Sequence, residues 1–267
     1  MEILIGCDPE VFARTDKGFV SVHDILPGTK ANPYKVAGGA VQVDGLAAEF
    51  NIDPASTEEE FVTRVNGVLD ILRGMVPNAE LIANPTADFD PEYMAALPAG
   101  VLELGCDPDF DAWNGGKPNP RPNGTVNFRT GSGHVHIGWT KDQDINDPEH
   151  REACLMAAQQ MDFYLGLPSK LFDKDNRRAR LYGNWGAFRV KPYGVEYRTL
   201  SNAWLNSPKL ISWVYNNAKK GIEDLLEGKH PPKLGYSKIN LDYTTSYGAR
   251  EIKNVCIYNN IALPPGF

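Results

Sequence analysis

The sequence predicts an α+β fold built on a mainly antiparallel sheet, and three observations lead there. Twenty prolines and 25 glycines cut the 267-residue chain into many short segments, which suits hairpins and loops better than long parallel crossovers. Strand-like runs alternate with only three well-marked helices. No glycine-rich strand-to-helix turn occurs, so a doubly wound parallel sheet is disfavoured. Residues 1–267 read as a single domain, with a core over about 1–228 and a loop-rich extension over 229–267.

The helices are marked by their first residues. Ser56-Thr57-Glu58-Glu59 has the form of a capping box, with Ser56 as N-cap and Glu59 reaching back. Phe61, Val65, Val68, Leu69 and Leu72 follow as an apolar stripe at helical spacing. Asp147-Pro148 opens a second helix, pairing a good N-cap with a proline at the first helical position. Leu155, Ala158 and Leu165 form its buried side, and it is expected to stop before Pro168. Ser207-Pro208 opens a third, with Leu210, Ile211, Val214 and Ile222 apolar and an end near Leu226.

Strands are expected over Met1–Ile5, Glu10–Ala13, Ala40–Val43, Leu46–Ile52, Val101–Leu104, Asn127–Arg129, Gly133–Trp139, Trp185–Val190 and Gly194–Leu200. Asp44-Gly45 is a two-residue hairpin signal between the third and fourth. Residues 113–123, rich in Pro, Gly and Asn, read as a surface loop.

Composition narrows the function classes. The chain is 42% hydrophobic and 23% charged, ordinary for a globular protein with a sizeable core. A net charge of −7 argues against nucleic acid as a direct electrostatic partner. No apolar run is long enough to span a membrane, and MEILIGCDPE lacks a basic start and apolar stretch. A cytoplasmic location without a membrane partner is the expectation. Cys7, Cys106, Cys154 and Cys256 are widely spaced and read as free thiols.

Four strand segments carry polar residues at i and i+2, which share a face. They are Asp8/Glu10, Glu49/Asn51, His134/His136 and Glu196/Arg198. If these strands belong to one sheet, carboxylates, imidazoles and a guanidinium gather on one side. Such a cluster is costly unless the charges are paired or hold metal. Carboxylate oxygens suit magnesium or manganese. His134-Val135-His136 can turn both rings to one metal, or one to metal and one to phosphate. Gly131, Gly133 and Gly138 leave room for a ligand near the backbone.

Arg177, Arg178, Arg180, Arg189, Lys191 and Arg198 form a basic stretch around Glu196. Arginine forks suit phosphate oxygens and the charge of phosphoryl transfer. Asp107, Asp109 and Asp111 read as a loop near the site mouth, with Glu103 beside it. Trp113, Trp139, Trp185 and Tyr193 are candidate pocket walls, although aromatics at such positions also build cores. No Walker-type phosphate loop, dinucleotide fingerprint or nucleophile elbow is present.

In their order along residues 6–202, these motifs resemble the glutamine synthetase-like carboxylate–amine ligases, most closely the small phage-encoded branch. GCDPE stands where those families carry G-x-E-x-E, DGLAAEFNIDP supplies Asp44 and Glu49, GSGHVHIG matches their H-x-H motif, and EYR matches their late E-x-R strand. The resemblance implies a sheet curved into a funnel with helices outside, ATP at one end, and Mg2+ or Mn2+. It implies Asp8, Glu10, Glu49, His134 and Glu196 as metal ligands. His136, Arg177, Arg180, Arg189, Lys191 and Arg198 would meet the nucleotide, and Arg198, Arg189 and Glu49 would act at the reacting group.

The implied reaction phosphorylates a carboxylate and joins it to an amine, with small-molecule or peptide substrates and an oligomer open. A metal-dependent hydrolase using His-x-His and the carboxylates is the alternative, and it leaves the arginines unused. A catalytically idle binding protein of the same fold is a third reading.

Overall fold

The alternation of short β-branched runs with glycine and proline turns yields strands of two to six residues and helices that cover them. A computed structural model describes residues 2–102, 109–120, 126–178, 181–230 and 246–267. The chain begins with β1 (Leu4–Cys7), β2 (Glu10–Thr15), β3 (Gly18–Val20), β4 (Tyr34–Val36), β5 (Gly39–Asp44) and β6 (Ala47–Ile52). Next come α1 (Glu58–Met75), β7 (Glu80–Ile82), β8 (Thr86–Asp88), α2 (Pro91–Ala95), α3 (Ala99–Leu102), β9 (Phe110–Asp111), β10 (Lys117–Pro118), β11 (Phe128–Thr130) and β12 (Val135–Gly138). The remainder holds α4 (Pro148–Met161), α5 (Leu167–Ser169), β13 (Ala187–Lys191), β14 (Gly194–Tyr197), α6 (Pro208–Leu226) and α7 (Ser246–Tyr258).

The fold is α+β, with the described strands pairing antiparallel. One sheet runs β1-β12-β14-β13-β9-β10, a second runs β3-β2-β6-β5-β4 with β7 also on β2, and β8 pairs with β11. The four polar strand segments therefore lie in two sheets, not one. His136 and Glu196 are register partners in the first, Glu10 and Glu49 in the second. Asp8-Pro9 carries the chain from one to the other, because proline cannot extend the β1 ladder. The Glu10 amide donates to Ser132 O at 2.9 Å, and Ile5 bridges Ala55, so the two sheets meet along this passage.

α1 and α6 pack on one another, α4 lies against β13 and β14, and α1 lies against β5 and β6. Phe61, Trp204 and Tyr215 meet at the centre of the resulting core. The α1 stripe is buried throughout, as its spacing predicts. The N-cap is Thr57, one residue later than expected, accepting from the Glu60 amide. Glu60, not Glu59, reaches back, to the amide and hydroxyl of Ser56. The hairpin turn is also shifted by one: Asp44 pairs with Ala47, leaving Gly45 at φ 56° and Leu46 as the turn.

The second helix does not stop before Pro168. It passes through a single π turn (Asp162–Gly166) into α5, where Pro168 occupies a first-turn position that lacks no required donor. Residues 99–102 are helical, not the start of a strand. The extension is not loop throughout, since α7 buries Ile252, Val255 and Cys256. Residues 113–120 are mostly turn, with a short 3₁₀ turn and β10. Cys7, Cys154 and Cys256 are free and buried; Cys106, Glu103, Asp107 and Arg180 lie outside the described residues. No described helix is long and apolar enough to cross a membrane.

Candidate active site

Where β1, β12 and β14 lie side by side, their register aligns Gly6, His136 and Glu196. Asp8, just past β1, adds a carboxylate to the row. Single ligand atoms of Asp8, His136 and Glu196 lie within 4.8 Å of one another. His136 Nε2 is 3.0 Å from Asp8 Oδ1, and His134 Nδ1 is 3.3 Å from the same oxygen. These close charges still leave Asp8 Oδ1, His136 Nε2 and Glu196 Oε2 buried without a well-directed hydrogen bond. These three atoms, two anionic and one imidazole, converge as the donor set of a divalent cation does, with Lys191 Nζ 2.7 Å from Glu196 Oε2.

Glu10, Asp44 and Glu49 form a second cluster, again with ligand atoms within 4.8 Å. β2 and β6 place Glu10 opposite Glu49, and β5 adds Gln42, whose amide donates to Glu49 at 2.8 Å. The Ser132 amide donates to Glu10 at 2.8 Å and Lys30 pairs with Asp44 at 2.7 Å. Burial raises Glu10 to about 7, with Asp44 adding to the shift. Burial also pushes Glu49 up, reinforced by Asp8, Glu10 and Asp44. Carboxyls that crowd until they hold protons are what a bound cation would relieve.

The Glu196 carboxylate behaves oppositely. Burial and Asp8 push it up, yet Arg198, His136 and His134 outweigh them and hold it at about 2. Arg198 bonds to it directly, Lys191 Nζ is at 2.7 Å and Arg189 at 3.6 Å. Arg198 also reaches Asp109 at 3.1 Å and His134 Nδ1 at 3.3 Å. Burial, then Arg198, lowers His134 to about 4, so at neutral pH its ring is uncharged and accepts from the guanidinium. His136 is raised because Asp8 outweighs its burial, and its Nδ1 meets the Tyr193 hydroxyl.

Two cavities open on either side of these carboxylates. The larger, about 420 Å³, has Asp8, Glu49 and His136 at its polar end and Leu4, Ile52 and Pro54 among its apolar walls. The smaller, about 60 Å³, sets Glu10 and Asp44 against Arg129, Arg178, Arg198 and His134. Arg178 is 4% exposed and donates to the carbonyls of Thr199 and Arg198, while its Nε has no hydrogen-bond partner among the described residues. Arg129 also bonds to carbonyls, those of Val126, Phe128 and Leu102. Among the described residues neither arginine has an ion-pair partner.

Of the residues read from the sequence, Asp8, Glu10, Glu49, His134, His136, Arg189, Lys191, Glu196 and Arg198 come together here. Arg177 does not: it pairs with Asp88 at 2.8 Å and sits over the Phe128 ring, at the β8–β11 pair. Tyr193 lines the larger cavity, whereas Trp113, Trp139 and Trp185 pack against the core. Gly131 and Gly133 make room for the chain itself, not for a ligand. A Cβ on Gly133 would lie 2.3 Å from Ser201 O. Gly138 does border the larger cavity.

Gln42, Arg129 and the buried Asp162 escape a reading by motif. Asp162 had a visible signal: it falls four residues after Ala158, inside the apolar stripe of its helix.

The segment from β11 to the end of α6, with the His-x-His strand and the Glu-x-Arg strand inside it, decides the comparison with known families. Residues 125–228 match the family model described as phage phiEco32-like COOH.NH2 ligase-type 2. This is the branch that the ordered motifs resemble. The matched segment contains His134, His136, Arg189, Lys191, Glu196 and Arg198, while Asp8, Glu10, Asp44 and Glu49 come from the chain before it. No curated protein matches the chain.

Proposed function

We propose that this protein is an ATP-dependent carboxylate–amine ligase working through an acyl phosphate. The observation that carries the reading is the double carboxylate cluster between an apolar-walled cavity and an arginine-lined one. The larger cavity has the size and polarity for a nucleoside with its phosphates toward Asp8, Glu49 and His136. The smaller, lined by Arg129, Arg178 and Arg198, would take the carboxylate of the acid substrate. Five carboxylates with one or two imidazoles form an oxygen-rich donor set, which favours Mg2+ or Mn2+ over zinc. Asp8, His136 and Glu196 would hold one ion and Glu10, Asp44 and Glu49 another; such ions screen the charge between two anionic reactants.

In the first half-reaction a carboxylate oxygen bonds to the γ-phosphorus and the bond to the β-bridging oxygen breaks, releasing ADP. Arg198 is already fixed by Glu196 and Asp109, so its charge needs no reorganisation as the phosphoryl group moves. Lys191 and Arg189 add positive charge on the same face. In the second, the amine nitrogen bonds to the acyl carbon, and the carbon–oxygen bond to phosphate breaks with loss of a proton. A water-poor site protects the acyl phosphate from hydrolysis.

The test is a screen of acid and amine pairs for ADP release with Mg2+, using Glu196→Gln as the inactive control. Release that depends on both partners and is absent in the variant supports the reading. Tight zinc with no nucleotide binding would replace it with the hydrolase.

A further inference from the structure

Along β14 and the residues after it, side chains alternate in what they touch. Glu196 and Arg198 belong to the site. Tyr197, Thr199 and Ser201 point to the other side and meet the chain that follows α4. Tyr197 Oη donates to Asp162 Oδ1 at 2.6 Å, and Thr199 Oγ1, which donates to Asn184 O at 2.9 Å, lies 3.3 Å from the same Asp162 oxygen. Ser201 Oγ donates to Asp173 at 2.6 Å. The other oxygen of Asp162 accepts from Trp113 Nε1 at 2.5 Å.

Asp162 is fully buried and opens the π turn. Gly166, which ends that turn, lets the tyrosine in: a Cβ there would lie 2.4 Å from Tyr197 Oη. A carboxylate in this place is a poor way to gain stability, since burying it costs more than well-packed apolar side chains of the same volume. What it does provide is direction. One oxygen takes the Tyr197 hydroxyl and lies against that of Thr199, so both neighbours of Arg198 border it, and a π turn inserts the residue that aims this oxygen at them.

We propose that Asp162 is a positioning residue for the site, acting through Tyr197 and Thr199 to set the placement of Glu196 and Arg198. Only the kinetic part of its test rests on the ligase reading. Outer partners of this kind are worth about 10–100-fold in activity or metal affinity where they have been removed.

The variants keep shape: Tyr197→Phe removes one bond, Thr199→Val removes the contact with Asp162 together with the bond to Asn184 O, and Asp162→Asn is the stronger change. The matched control is Tyr164→Phe, from the same π turn, whose hydroxyl donates to Asp224 at 2.7 Å away from the site. In the full chain, Tyr197→Phe is expected to lower kcat for ADP release by about 10–100-fold with little change in KM for ATP. It should also move the Arg198 side-chain Nε–H resonance in a 15N spectrum and weaken Mn2+ binding. Tyr164→Phe should lower the melting temperature and leave all three readouts alone.

If Tyr197→Phe and Thr199→Val lose only melting temperature, as the control does, Asp162 is structural and the proposal is overturned. If the wild-type chain releases no ADP with any substrate pair, the ligase reading fails. The Arg198 resonance and Mn2+ affinity then still decide the proposal.

Discussion

Glu10 and Glu49 face one another as register partners on β2 and β6, so two carboxylates that repel are held on the same side of one sheet. Both have raised pKa values, Glu10 to about 7. The folded chain thus keeps protons that the unfolded chain has released above about pH 4.5. Without metal, stability from this pair should fall as pH rises from about 4.5 to about 7. Saturating Mn2+ displaces the protons and should flatten that slope, and Mn2+ affinity should drop as pH falls below about 7. Melting curves against pH, with and without Mn2+, check this; parallel curves would remove the second cation site.

Glu196 predicts the opposite sign on the acid side. Its folded pKa of about 2 lies below the unfolded value. The stability it contributes is present above about pH 4.5 and is lost as pH falls toward 2. Glu196→Gln should erase this acid slope and, by taking from Arg198 one of its two carboxylate partners and from Lys191 its anion, cost about 1–3 kcal/mol. Urea titration at neutral and acid pH measures both effects.

Gly183 has φ 72° and lies beneath Arg178, where a Cβ would fall 1.8 Å from Nη1. Gly183→Ala should therefore strain the backbone, at roughly 1–3 kcal/mol, and drive the guanidinium from its seat in the smaller cavity. The expected kinetic result is a KM for the acid substrate raised at least about tenfold, the loss of roughly one charged hydrogen bond, with KM for ATP unchanged. An unchanged KM for the acid would show that Arg178 does not meet it.

The start of α1 offers a test away from the site. Thr57 accepts from the Glu60 amide, whereas the Ser56 hydroxyl bonds only the Glu60 side chain. Thr57→Ala should destabilise by about 1 kcal/mol and Ser56→Ala by less. Equal losses in thermal or urea unfolding would mean that the cap is shared.

Much of the site was legible because its residues are chemically out of place in their own strands. A glutamate among Ala47, Ala48, Phe50 and Ile52, or His-Val-His between glycines, has no local reason to exist. Period-two alternation then says which neighbours share its face. The helix stripes were legible for the same reason: amphipathic spacing is a property of sequence alone. Boundaries were not. Ser56 and Thr57 are equally good caps by type, and the choice fell to the residue whose successor's amide was in reach. The π turn was invisible because one added residue in a helix depends on what its side chains must touch.

By itself, the sequence determined the α+β class, the presence and apolar stripes of three helices, and the polar pairs that Glu10, Glu49, His134, His136, Glu196 and Arg198 belong to. These follow from local periodicity and side-chain chemistry. Tertiary structure alone decided that the pairs lie on two sheets joined at Asp8-Pro9, that Arg177 goes to Asp88 while Arg178 enters the smaller cavity, and that Asp162 stands behind Arg198. Which charge meets which is set by strand register and by contacts far apart along the chain, and no window of sequence contains both partners.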